Sequence, residues 1–375
     1  MLSLQINIKC ELFSFLFKST QKLSMFNLTK KINTITPRLT VCFLLILTAT
    51  TSSIVNADTQ EVNLYSARQE ALIKPLLEAF TNDTGIQVNV ISSKADALLK
   101  RIQSEGINSP ADVLLTTDAG RLSRAKEAGI FEAIDSKVLI DNIPSNYRDL
   151  DSMWFGLSTR LRPIMIVNNS NLEKPLSYED LVKPIYQGKI CVRSSSNIYN
   201  QSLISTMINH LGEEVTEKWA IGFVANFARK PQGGDRDQIR AAAAGQCELV
   251  IANTYYLAQM LADTAEKSDQ EAAKKLSVIW PNQDDRGAHI NISGAGVLKS
   301  APNKDNGIKL IEFLTSDVAQ KIYADVNYEY PVKDGIETNA ILGAWGDYKA
   351  DDIQLGKLGE YNAAAVRLMD RAGWK

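Results

Sequence analysis

Between residues 61 and 129 the chain changes its hydrophobic period repeatedly, and this constrains the fold more than any other feature. The short apolar run EVNLYSA (61–67) gives way to QEALIKPLLEAFTNDTG, whose apolar residues recur at helical spacing until Gly85. IQVNVISS with KADALLKRIQSEG repeats the pair, and ADVLLTTD with AGRLSRAKEAG repeats it again. Strands that alternate with helices over short connections predict a parallel sheet covered by helices. Ligands of such sheets bind beyond the carboxyl ends of the strands, where loops enter helices.

The pattern resets at MWFGLSTRLRPIMIVNN (153–169), a long extended stretch in which Pro163 argues against helix. A second alternation follows: GKICVRSS then NQSLISTMINHLG, and ELVIANT then YYLAQMLADTAEKS. HINISGAGVLK (289–299) is a second extended crossing, followed by the helical NGIKLIEFLTSDVAQKIYADV. Two sheets joined by an outgoing and a returning crossover describe an α/β clamp with its ligand between two parallel-sheet lobes. Two unrelated tandem domains would need a single linker. The expected first lobe is 58–158 with 283–333, and the second is 159–282 with 334–375.

Residues 1–57 stand apart. Lys30, Lys31 and Arg38 precede the apolar LTVCFLLILTAT, and Val55 and Ala57 fit a small-residue cleavage pattern, so this stretch reads as a secretory signal. Met25 as the true start gives that signal a normal length. The apolar run is shorter than the ~20 residues of a membrane span. An exported mature chain from Asp58 retains Cys191 and Cys247, and an even pair in an oxidising compartment suggests a disulfide. Each lies eight residues before a tyrosine, Tyr199 and Tyr255, as two parallel strands running to one end of a sheet would place them. Two buried free thiols are the alternative reading. The formal charge of −2, with no basic stripe, points away from nucleic acid as a partner.

Few residues are equipped for catalysis. The two histidines, His210 and His289, form no evident His–Cys or His–Asp set, and His210 beside Leu211 reads as structural. A secreted hydrolase built on Asp118 or Asp235 lacks a base and nucleophile pair, so the expectation is a binding protein and not an enzyme. PQGGDRDQIRAAAAG lacks the lysine of a phosphate loop and reads as a turn capped by Asp235 that opens a helix. Tyrosine is plentiful, at 12 residues, and the expected strand ends carry Tyr199 on one side and the adjacent Tyr255 and Tyr256 on the other. Converging buried phenols are costly unless their hydroxyls find partners. A hard trivalent cation such as Fe3+ prefers oxygen donors and draws off phenolic protons.

The stretches LYSARQ, SPADVLLTTDAGRL, RSSSNIYNQSL, KPQGGDRDQI and ANTYYL together resemble the periplasmic ferric-ion-binding proteins, solute receptors of iron ABC transporters. The likeness runs across nearly all of the mature chain. It implies a transferrin-like bilobal periplasmic binding protein fold, a monomer in the periplasm, ferric iron held between the lobes, and delivery to an inner-membrane ABC permease. Tyr199, Tyr255 and Tyr256 then carry over as metal ligands. Many relatives have histidine after the first strand, where this chain has Gln69 and Glu70. It matches an all-tyrosine subgroup in which an anion, usually carbonate, completes the shell. Arg68 and Arg160 are the candidates to hold that anion, because guanidinium pairs bidentately with planar oxyanions. Surface salt bridges are the plainer reading of both arginines. Glu70, or backbone N–H groups of residues 194–197, are alternative contributors. The competing function is a receptor for an oxyanion or organic solute such as thiosulfate or a polyamine.

Overall fold

The structure, a computed structural model, describes residues 60–375; the expected signal peptide lies outside those residues. The strands are β1 (Glu61–Ser66), β2 (Gln87–Ser92), β3 (Val113–Thr117), β4 (Phe155–Leu161), β5 (Ile164–Val167), β6 (Ile190–Cys191), β7 (Leu249–Ile251), β8 (Leu276–Ile279) and β9 (Ile290–Val297). They form one sheet in the order β2-β1-β3-β9-β4 and a second in the order β6-β7-β5-β8.

The opening alternation folds as its periodicity predicts. Helices Glu70–Thr84, Ala95–Glu105 and Ala119–Glu127 follow β1, β2 and β3. Gly85 ends the first helix with φ 75°, a left-handed conformation that L side chains rarely adopt, and its N–H donates to Thr81 O. Side chains alternate across the sheet: Val62, Leu64, Val113 and Leu115 face one buried cluster, Tyr65 and Leu114 the other. Burial on both faces matches the continuous apolar run Val113–Leu115 of β3, whereas the edge strand β2 stays largely exposed.

Both crossovers exist. β4 lies in the first sheet and β5, after Arg162 and Pro163, in the second, while β8 in the second precedes β9 in the first. The lobes nonetheless are not purely parallel. β9 runs antiparallel to β3 and β4, and β5 antiparallel to β7 and β8. A strand arriving from the other lobe enters its sheet from the opposite end, so each crossover inserts one reversed strand. Gly294 and Gly296 let β9 pack this closely: a Cβ there would sit 2.7 Å from Phe155 O and 2.5 Å from Met153 O, respectively.

Two local expectations are corrected. Ser316 caps a new helix, so the run after residue 304 is two helices, Lys304–Leu314 and Asp317–Asp325. Likewise YYLAQMLADTAEKS divides into Thr254–Leu261 and Lys267–Ala273. Of the segment 334–375, helix Asn362–Arg371 packs in the second-lobe core with Ala365 and Leu368. Leu342, Ile353, Leu355 and Leu358 pack in one buried cluster with Leu122 and Trp154. The lobes also touch through Asp118, whose buried carboxylate accepts from Ser202 Oγ at 2.8 and 2.9 Å.

Candidate functional site

Tyr199, Tyr255 and Tyr256 come together, but on helices and not on strands. β6 ends at Cys191, and Tyr199 is the second residue of helix Ile198–Leu211, capped by Asn197. β7 ends at Ile251, and Tyr255 and Tyr256 are the second and third residues of helix Thr254–Leu261. β6 and β7 are parallel neighbours, and Cys191 is disulfide-bonded to Cys247 with Cα atoms 5.9 Å apart. The bridge and the ladder bring two helix N-termini side by side. Each N-terminus carries a positive partial charge that favours an anion such as phenolate.

Tyr255 Oη donates to Tyr199 Oη at 3.3 Å, and the rings of Tyr255 and Tyr256 lie 4.2 Å apart. Burial first, and then the neighbouring phenols, raise the pKa of Tyr255 well above that of a free phenol. Burial, Tyr199 and Asp235 raise that of Tyr256. The metal-free site therefore keeps these protons at neutral pH. Arginines ring the phenols: Arg160 lies 5.5 Å and Arg193 6.0 Å from the centre of the Tyr199 ring, and Arg236 5.1 Å from that of Tyr256. Arg160 partly offsets the rise at Tyr255 and Arg193 that at Tyr256, since a nearby positive charge favours phenolate.

The two sequence-predicted arginines differ in what they hold. Arg68, buried, forms a forked ion pair with Glu329 at 3.0 and 3.1 Å and donates to Ser293 Oγ at 2.5 Å. Its fork is occupied by a carboxylate from 261 residues away. Arg160, 1% exposed, donates through Nη1 to the same Ser293 Oγ at 3.0 Å, while its Nε and Nη2 have no partner. Two orphaned donors on one buried guanidinium suit a planar anion. Glu70 is exposed and lines the outer groove between its helix and β2, with Ile73, Lys74 and Ser92. Residues 194–197 precede the Tyr199 helix, where Asn200 Nδ2 holds the carbonyls of Arg193 and Ser194 at 2.8 and 3.1 Å.

Sequence reasoning missed Arg162, Arg193 and Arg236, and misplaced Asp235. Gly234 is the N-cap of helix Asp235–Ala243, and its N–H donates to Asp237 at 2.7 Å. Asp235 instead is fully buried and accepts from Arg162 at 3.0 Å and Arg193 at 2.6 Å. The available signal was Arg160 and Arg162 in a crossing stretch rich in apolar residues, since buried arginine requires a partner. His210 hydrogen-bonds the Asp351 carboxylate at 2.9 Å, at the far end of the helix whose first turn carries Tyr199. Among the described residues, no three His, Cys, Asp or Glu side chains assemble into a group that could hold a metal.

Fold and site together define a bilobed α/β binding protein that gathers phenols and arginines at the junction of its lobes. Residues 108–344 match the bacterial extracellular solute-binding proteins, and the chain belongs to that family. It is similar to iron uptake protein A1 of Synechocystis, with 48% identity over 84% of this chain and 88% of the relative. The Fe(3+)-binding periplasmic protein of Serratia marcescens is 29% identical over 84% of this chain and 90% of its own length. A Trichodesmium FutA structure in complex with iron and citrate superposes with a TM-score of 0.81 at 48% identity, covering 84% of this chain and all of that one.

Proposed function

We propose that this protein is a periplasmic receptor that captures ferric iron between its lobes and delivers it, as a monomer, to an inner-membrane ABC permease. One observation carries the reading: three phenols from two adjacent helix N-termini converge on one another, and one of them, Tyr199, lies 5.5 Å from a buried arginine with two unpartnered donors. Oxygen donors that become anionic on binding are what a hard trivalent cation selects. Relatives named for iron uptake and Fe(3+) binding support iron as the cargo.

Tyr199, Tyr255 and Tyr256 ligate the iron. Arg160 holds a synergistic anion through Nε and Nη2, and Arg68, spent on Glu329, sets the position of Ser293 beneath it. Carbonate is the planar anion that matches this fork. Citrate, present with iron in the Trichodesmium structure, is the alternative. The core clusters support a division in which residues 340–360 join the first lobe and 361–375 stay with the second.

Ferric citrate added to the pure protein is expected to give a visible tyrosinate-to-iron charge-transfer band that saturates at one iron per chain. Loss of the band in carbonate-free buffer, with citrate also removed by using another chelate, separates carbonate from citrate. A protein that stays colourless and leaves iron with citrate refutes the assignment.

A further inference from the structure

We propose that Arg162 is the positioning residue of the tyrosine site, holding in register the three segments that carry and line the phenols; this deepens the ferric reading and rests on it. Arg162 stands at the crossover between β4 and β5, and its side chain is 1% exposed. Nη1 donates to Asn253 Oδ1 at 2.8 Å and to Asp235 Oδ1 at 3.0 Å. Nη2 donates to Asn200 Oδ1 at 2.6 Å and to Ile251 O at 3.3 Å.

Each partner leads to a phenol. Asn253 is the N-cap of the helix bearing Tyr255 and Tyr256. Asn200 follows Tyr199 and holds the loop before it through Arg193 O and Ser194 O. Asp235 pairs with Arg193, the guanidinium beside the Tyr199 ring. One planar fork therefore sets the spacing between Tyr199 and the tyrosine pair.

A second observation separates this role from plain core packing. Asparagine at an N-cap ordinarily accepts from the first-turn N–H groups. Asn253 makes no such side-chain bond, because its Oδ1 faces Arg162. Local helix capping is given up for the link to the crossover. Lysine would keep the charge but has no fork to span Asn200 and Asn253 together.

The test compares wild type, Arg162→Lys, Asn253→Ala and, as a destabilised control, Phe80→Leu, a buried residue of the first-lobe core. Three measurements are made on each: iron-free thermal unfolding, ferric affinity against citrate, and the position of the charge-transfer band. Arg162→Lys is expected to lose about 10–100-fold in affinity, the range for residues that orient metal ligands, and to shift the band. Asn253→Ala should shift the band in the same direction, and it decides the matter should Arg162→Lys fail to fold. Phe80→Leu should lower the unfolding temperature and leave the band in place. Variants at residues 162 and 253 with the wild-type band and affinity overturn the proposal while the ferric reading stands. A wild-type protein without a band overturns both.

Discussion

The proton count on metal binding tests the tyrosine site most directly. A free phenol has a pKa of about 10, so deprotonating one at pH 7 costs about 4 kcal/mol. Burial raises Tyr255 and Tyr256 further, which makes that a lower bound for these two. With their pKa values above the working range, both phenols are protonated in the metal-free protein, and iron must displace the protons. Three phenolate ligands mean three protons released, so affinity should fall as pH falls, by roughly a thousandfold per unit. Calorimetric titration in buffers of different ionisation enthalpy reads the number of protons. The ferric chelate contributes its own, but that contribution cancels when variants are compared at one pH. Tyr255→Phe and Tyr256→Phe should each lower the count by one, whereas Tyr361→Phe, outside the site, should leave it unchanged. If Tyr255→Phe binds iron and releases as many protons as wild type, Tyr255 is not a phenolate ligand and the argument from convergence fails.

His289 supplies a prediction about acid. Its burial, with Arg162, Arg160 and Arg286 nearby, lowers its pKa from 6.5 to about 3, and it shares a 2.8 Å hydrogen bond with Thr206. Above its unfolded pKa the imidazole is neutral in both states and carries no penalty. As pH falls through the window from 6.5 to about 3, only the unfolded chain takes up the proton, so the protein should lose about 5 kcal/mol of stability by the lower limit. His289→Gln should flatten that part of the denaturation profile, and an unchanged slope would contradict the assignment. The two arginines should separate in a paired measurement of unfolding and affinity. Arg68→Ala leaves Glu329 buried without its partner and should cost about 3–5 kcal/mol of stability. Arg160→Ala breaks no ion pair and should show its larger effect on iron affinity; the opposite ranking would move the anion to Arg68.

Much of this protein was legible in order along the chain. Short apolar runs followed by period-3.6 patterns, closed by Gly85 and Gly106, located the first strand–helix units, because they depend only on neighbouring residues. β6 and β7 run as parallel neighbours and Cys191 is bonded to Cys247, as the even pair suggested, but the ladder sets Cys191 opposite Val250, so the matched spacing of eight is not the register of the strands. Direction and partnership were not local. Whether β5 and β9 run with or against their neighbours depends on which end of the sheet a crossover enters. The arginines could be counted from the sequence but not assigned. Arg68 finds Glu329 across 261 positions and Arg162 finds Asn253 across 91. A long charged side chain takes whatever acceptor lies within reach once water is excluded, and only the packed tertiary structure determines which acceptor that is.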